Sequence, residues 1–300
     1  MITAPRFIFT LLFSLFIATA FGQIHTLQQK IEQISTSKQA TVGVAIAGPG
    51  KGDTLSILAN KHFPMQSVFK FHIALAILNE VDKGKFSLNQ PILIRKKDLR
   101  RGTWSPIREK YPNGNIQLPL AEILTYTVAE SDNNGCDILL RLIGGTATVN
   151  RYIHGIGVKE VSIKANEAEA AKAWSVQFRN WTTPVAAVAA LRRFYEGKIL
   201  SEKSTAFLWQ TMLGTATGKK RLKGQLPAGT LVAHKTGTSD TNAAGETAAI
   251  NDIGVVMLPD GRYFYISVFV TAAKENTDTN EKIIADIAKA AWDYFTQQPL

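Results

Sequence analysis

The chain has 300 residues, 45% of them hydrophobic and 19% charged, which is enough apolar mass for a sizeable core and lies outside the range of disordered or coiled-coil sequences. Its 34 Lys and Arg against 24 Asp and Glu give a formal net charge of +10. The basic residues are scattered and form no compact stripe interleaved with aromatics, so nucleic acid is not an expected partner; the surplus serves solubility first and leaves room for anionic small molecules.

Residues 1–22 hold a lone Arg6, the apolar run FIFTLLFSLFIATA and the small-x-small end Ala20-Phe21-Gly22, the pattern of a signal peptide. Cleavage there starts the mature chain near Gln23 and predicts a periplasmic or secreted protein; a retained amino-terminal anchor is the alternative. The run is short for a membrane span, and no later segment offers 18 uninterrupted apolar residues. No cysteine follows the run to take a lipid. Cys136 is the only cysteine and cannot form an internal disulfide, so the core must hold the fold together.

ATVGVAIAGP, from Ala40 to Pro49, ends in a Pro-Gly-Lys-Gly-Asp turn after which TLSILA returns, a predicted hairpin. FPMQSVFKFHIALAILNEVDKG, from Phe63 to Gly84, predicts an apolar helix starting around Gln66 or Ser67. Helical patterns follow over Leu120 to Ile143, Pro184 to Tyr195 and Glu202 to Leu213. LVAHKTGTS reads as a strand, and NDIGVVMLPDGRYFYISVFVT, from Asn251 to Thr271, as two strands around Leu258-Pro259-Asp260-Gly261. TNEKIIADIAKAAWDYFTQQ closes the chain as a helix with a Thr-Asn cap.

Strands at both ends around a helical middle predict an α/β protein, in the α+β sense. An antiparallel sheet is completed by the two chain ends, with packed helices and an inserted all-helical lobe. The expected parts are a sheet-containing lobe, residues 23–60 and 184–300, and a helical lobe, residues 61–183, with the active site in the cleft between them. There is no sequence repeat and no low-complexity linker.

Three short clusters carry chemistry. In Ser67-Val68-Phe69-Lys70, residues three apart share a helix face, so Lys70 can approach the Ser67 hydroxyl while helix-terminal amides face a carbonyl under attack. A serine needs a neighbouring base to become a nucleophile, and an amine in a partly dry site can be that base. The plain alternative is a capping serine beside a surface lysine. Ser131-Asp132-Asn133 lies in a short polar connection where Ser131 could relay a proton and the Asn133 amide could hold a substrate amide and reach Lys70; a helix-capping turn is compatible with both. Lys235-Thr236-Gly237-Thr238 follows a strand. There Lys235 would attract a carboxylate, Thr236 and Thr238 would donate hydroxyls, and Gly237 would let a substrate lie against the backbone.

Taken in this order, SVFK, SDN and KTGT resemble the class A serine β-lactamases. FPMQSVFK, YTVAESDNNGCD, TGKKRLKGQLPAGT and AHKTGTS are most similar to the PER-type extended-spectrum branch. The resemblance spans essentially the whole mature chain and implies a serine β-lactamase/penicillin-binding-protein-like fold. It implies Ser67 as nucleophile, Lys70 as base or relay, and Ser131 as proton donor to the lactam nitrogen. Asn133 would bind the acylamide, and Lys235 with Thr236 the carboxylate. The backbone N–H groups of Ser67 and Thr238 would form the oxyanion hole. Arg221 would support the anion pocket, and Trp104 would flank the entrance unless it is an ordinary packing tryptophan.

The family's Glu-x-x-x-Asn loop matches Glu167-Ala168-Glu169-Ala170-Ala171, which makes Glu167 the general base for the hydrolytic water and Glu169 solvated acidity. Ala171 replaces the asparagine and cannot hydrogen-bond a water. The Arg and Asp that clamp the loop ends are absent, with Ala165 and Asn180 near their places. The implied partners are β-lactams, including oxyimino cephalosporins, and mechanism-based inhibitors, acting on a monomer with no cofactor. The rivals are a penicillin-binding D-Ala-D-Ala carboxypeptidase and an inactive ligand-binding protein. No metal is expected, because His25, His62, His72, His154 and His234 form no zinc-ligand spacing and His72 reads as a packing or capping residue. No phosphate-binding loop is present either.

Overall fold

The computed structural model describes residues 24–50 and 52–298. The signal peptide over residues 1–22 and the cleavage site near Gln23 lie outside the described residues. Helix α1, residues 24–36, escaped the sequence reading; it buries Leu27 and Ile31, four apart on one face. Strands β1 (Thr41–Ala47) and β2 (Thr54–Ile57) then form the expected hairpin, with Val44 opposite Ile57.

The middle of the chain runs through β3 (Phe63–Pro64), a 3-10 turn at Gln66–Val68, α2 (Phe69–Asp82), β4 (Pro91–Ile94), α3 (Pro106–Lys110) and β5 (Ile116–Pro119). It continues through α4 (Leu120–Ala129), α5 (Asn133–Ile143), α6 (Thr146–Gly155), β6 (Val161–Ser162), α7 (Glu167–Ala170) and β7 (Trp181–Thr182). Helices α8 (Pro184–Tyr195) and α9 (Glu202–Leu213) lead to β8 (Val232–Thr238), β9 (Ile250–Met257), β10 (Tyr263–Thr271) and α10 (Thr277–Gln297). The cap of α10 is Asn276, whose side chain accepts from Thr279 N. The expected Thr-Asn cap lies inside the first turn, where Asn280 is buried and donates to Glu275 O.

The main sheet has the order β2-β1-β10-β9-β8 and is antiparallel throughout, so the amino-terminal hairpin is completed by the carboxy-terminal strands. Strands β9 and β10 are buried almost without interruption because both faces are covered. Ile266, Val268 and Val270 pack with α1 and α10, while Val255, Tyr265 and Phe269 pack with α8 and the helices around α2. That two-sided burial explains why these strands read as apolar runs and not as alternating ones.

Helix α2 is the axis of the helical part. Ten consecutive residues, Phe69 to Leu78, are buried, and the helix packs against α4, α5, α6 and α9. A helix apolar all round belongs in a core, so the Lys70 ammonium at its start is a buried charge that requires partners.

Candidate active site

The Ser67 hydroxyl sits in the 3-10 turn just before α2, at the point where that turn meets β8. Lys70 is fully buried, and its Nζ donates to Ser67 Oγ at 2.9 Å, to Ser131 O at 2.9 Å and to Asn133 Oδ1. Glu167 Oε1 lies 2.9 Å from the same nitrogen. One ammonium therefore ties together the turn before α2, the α4–α5 connection and α7. Ser131 holds that connection with a left-handed φ of 59°. Asp132 caps α5 by accepting from Gly135 N, and it also takes Ser105 Oγ and Ile107 N, which pins α3 alongside. Burial pushes the Asp132 carboxyl up despite these donors. The capping role and the placement of Ser131 thus hold together.

Strand β8 is the sheet edge facing this cluster. Lys235 is fully buried and donates to Ser131 Oγ at 3.0 Å and to Thr236 O at 2.9 Å. Burial, then the nearby Lys70, pushes the Lys235 ammonium well below the usual lysine range. Among the described residues no carboxylate contacts it. Arg221 braces the other face of the strand, donating to Gly237 O at 3.1 Å, Asn251 O at 3.0 Å and Thr238 Oγ1 at 2.8 Å while pairing with Glu281 at 3.0 Å. The Thr236 hydroxyl pairs with that of Thr217 at 2.6 Å. Gly237 requires a different account from the one the sequence suggested. A Cβ there would come 2.4 Å from Met65 O, so the close approach is made by the chain itself, just before Ser67. Asn251 of β9 fixes that segment by donating to Pro64 O and Met65 O.

The loop bearing Glu167 is clamped after all. Asn180 is buried; its Oδ1 accepts from Lys164 N at 2.8 Å and Ala165 N at 2.9 Å, and its Nδ2 donates to Ala165 O at 2.7 Å. An amide thus joins the loop ends where the sequence reading, looking for an ion pair, saw nothing. Asp137 of α5 accepts from Glu167 N at 2.8 Å and Ala168 N at 3.0 Å, fixing the first turn of α7. Burial pushes its carboxyl up to about 6, against the pull of those two N–H donors. Glu169 is not simply solvated: it closes a capping box with Asn166 across the start of α7. Ala171 ends that turn, and its methyl lines the cleft.

Between these walls lies a cavity of about 440 Å³ bounded by Gln66, Ser67, Trp104, Asn133, Glu167 and Thr238. Trp104 is 56% exposed at its edge and donates through Nε1 to Glu130 O at 2.8 Å. The Asn133 amide donates to Thr103 Oγ1 at 2.6 Å and keeps its second N–H for another acceptor. Of the site residues expected from the sequence, Ser67, Trp104, Asn133, Glu167 and Thr238 line this cavity, Lys70, Ser131, Lys235 and Arg221 are bonded to those residues or to one another behind it, and Thr236 and Gly237 lie beside Thr238 in β8. Sequence reasoning missed Asp137, Thr103, Thr217 and Asn251. Asp137 shares its face of α5 with Asn133, Asn134 and Arg141, so neither it nor the other three stands out by pattern. His72 is buried edge-on to Phe71, where burial lowers it to about 4 and keeps it neutral, as befits a packing residue.

The Beta-lactamase enzyme family model matches residues 26–295. The chain is 50% identical over 292 residues to Beta-lactamase VEB-1 of Pseudomonas aeruginosa, covering 96% of this chain and 97% of that protein. It is 45% identical over 273 residues to Extended-spectrum beta-lactamase PER-1 of Pseudomonas aeruginosa, covering 91% and 88%. The solved structure of TLA-3 extended-spectrum beta-lactamase superposes with a TM-score of 0.90 at 52% identity, over 91% of this chain and 99% of that one. Since identity to VEB-1 exceeds identity to PER-1, the likeness is not specifically to the PER type. With its fold and sequence aligned over nearly the whole length, the chain belongs to the class A serine β-lactamases, enzymes that hydrolyse β-lactams.

Proposed function

We propose that Ser67 is the residue acylated by the lactam and that Glu167 activates the water that releases it. The observation that carries this reading is the single Lys70 nitrogen 2.9 Å from both Ser67 Oγ and Glu167 Oε1. In the first half-reaction Lys70 first gives up a proton, to Glu167 or to solvent, and the resulting amine takes the Ser67 proton as Ser67 Oγ bonds to the lactam carbonyl carbon. The carbon–nitrogen bond then breaks as Ser131 protonates the leaving nitrogen and is reprotonated by Lys235, 3.0 Å behind it. Lys235 recovers a proton from solvent, and Glu167 releases to solvent any proton it took, so the carboxylate is free for the second step. In the second, Glu167 takes a proton from water as its oxygen attacks the acyl carbon, and Ser67 Oγ is reprotonated through Lys70.

The oxyanion hole follows from backbone direction. Leu231 O and Ser239 N both bond towards β9, so odd-numbered residues of β8 serve the ladder and the Thr238 N–H points off the sheet edge into the cleft. Ser67 N, in the first turn of a helix, is the natural second donor. Asn133 would take the acylamide and Trp104 the side chain beyond it. Lys235, Thr236 and Thr238 would hold the substrate carboxylate, with Arg221 keeping Thr238 in place. Lys235→Ala should lower kcat/KM about 10- to 100-fold on a β-lactam carboxylate, the weight of one charge-assisted hydrogen bond, and much less on its neutral ester. Equal losses on both would remove the carboxylate role.

The cleft would lie between the sheet-containing lobe, residues 23–60 and 184–300, which lines it through Thr238, Ser239 and Asp240, and the lobe of residues 61–183, which is not all-helical as expected but also carries the short strands β3 to β7. Its wall of Ala170, Ala171 and Ala173, and the long connection from Ser239 to Thr247, leave room for oxyimino cephalosporin side chains. Kinship with PER-1 and the TLA enzymes, both titled extended-spectrum, supports that range. Side-by-side steady-state hydrolysis of an oxyimino cephalosporin and a narrow penicillin tests it, with many equivalents of both consumed. Brisk penicillin turnover with negligible cephalosporin turnover would overturn the extended range. Export of a monomer to the periplasm or medium rests on the leader-like residues 1–22; no helix among the described residues is long and apolar enough to cross a membrane.

A further inference from the structure

Half of the chain's net charge sits in one segment beside the cleft. Residues 95–110 hold seven Lys and Arg against two Asp and Glu, a net of +5 out of +10. The two acids are committed locally: Asp98 pairs with Arg95 and Arg141, and Glu109 approaches Arg108 at 3.9 Å. Arg108 also donates to Arg100 O and Thr103 O, and Lys110 lies near Tyr126 and Glu122. Lys96, Lys97 and Arg101 are exposed, and their charged groups have neither an ion pair nor a hydrogen bond among the described residues.

This segment bounds another cavity, of about 500 Å³, lined by the three cations Lys96, Arg101 and Arg108 and the single acid Glu109, together with Leu99, Gly102 and Pro112. Gly102 also lines the catalytic cleft, so the two spaces adjoin across one residue. With φ at +71° and nothing within 4 Å of where its Cβ would stand, Gly102 leaves that passage open. The rim of the cleft also carries Asp240, which follows β8 and would turn an anion away from that side.

We propose that the basic chamber lined by Lys96, Arg101 and Arg108 captures β-lactams whose acyl side chain carries a second anionic group, a carboxylate or sulfonate beyond the one read by Lys235. The inference rests on the lactamase reading above and adds a preference for dianionic substrates. Like-signed charges beside a cleft concentrate and orient an oppositely charged ligand, an effect that reaches about 10 Å at 0.1 M salt and fades as salt rises. Such capture raises kcat/KM and leaves kcat, which is set at Ser67, where it is.

The test compares wild type with the Lys96→Glu/Arg101→Glu double variant on two cephalosporins sharing one nucleus. One has a carboxylate on its oxyimino side chain, the other a methyl cap. Both positions are exposed and unpaired, and a thermal melt verifies the fold. At about 0.01 M ionic strength the variant should lose about tenfold in kcat/KM on the dianionic substrate and about threefold or less on its methyl-capped partner, with kcat held within about twofold. At about 0.5 M salt the difference should vanish. The same loss on both substrates, a loss that persists in high salt, or no loss at all would overturn the proposal. Wild type that turns over neither substrate would instead overturn the lactamase reading itself.

Discussion

Ser67→Ala protein, mixed with any β-lactam, stays at its unmodified mass, and its turnover falls about 10³-fold or more. Ser131, the other serine at Lys70, is not placed to take over. Ser131 meets Lys70 through its carbonyl, and its own Oγ is engaged by Lys235. The substitution removes one acceptor from Lys70 but leaves Glu167, Asn133 and Ser131 O in contact, so the buried ammonium is not stranded. Stability should therefore change by no more than about 1 kcal/mol. Intact-mass spectra and a thermal melt check both halves of this expectation; wild-type turnover in the folded variant would remove Ser67 from the mechanism.

Local signals were enough for several elements. Helices α8 and α9 begin and end where their patterns do, because Thr183 and Ser201 cap them and Pro184 opens the first. The β9–β10 hairpin follows from its Pro-Asp-Gly turn, with Met257 opposite Tyr263. Pairings set by distant chain were out of reach: β3, β7 and β6 are two residues each and exist only because they lie side by side. Helix α1 did carry a helical period, with Ile24, Leu27, Ile31 and Ile34 three and four apart, and the sequence reading passed over it. The pattern from Leu120 to Ile143 is two helices, parted at the short polar connection expected at Ser131-Asp132-Asn133; the left-handed turn of Ser131 within it has no sequence signal.

At the site the difference is between residues whose chemistry makes a pattern and residues that position them. Ser67, Lys70, Ser131 and Lys235 fall in three short words of fixed spacing. Asp137 and Asn180 act on backbone N–H groups up to 31 residues away in sequence, so nothing near them marks the role. Gly237 was legible as a close approach, but the group approaching it, Met65 O, emerges only from the fold.

Glu167→Ala separates the two half-reactions. The change removes the water's proton acceptor while the 2.9 Å contact of Lys70 with Ser67 remains, so acylation proceeds and deacylation slows about 10²- to 10⁴-fold, the usual weight of a general base. Should acylation also disappear in a folded variant, Glu167 would serve the first step as well, as its contact with Lys70 permits. The same experiment decides between a lactamase and a penicillin-binding carboxypeptidase, which needs no such carboxylate and is trapped by the lactam. The direct measurement is an intact-mass time course of wild type and Glu167→Ala after one addition of a cephalosporin. The account predicts wild type back at its unmodified mass and the variant holding one drug fragment per chain; a wild type that accumulates a durable adduct with every lactam tried would contradict it.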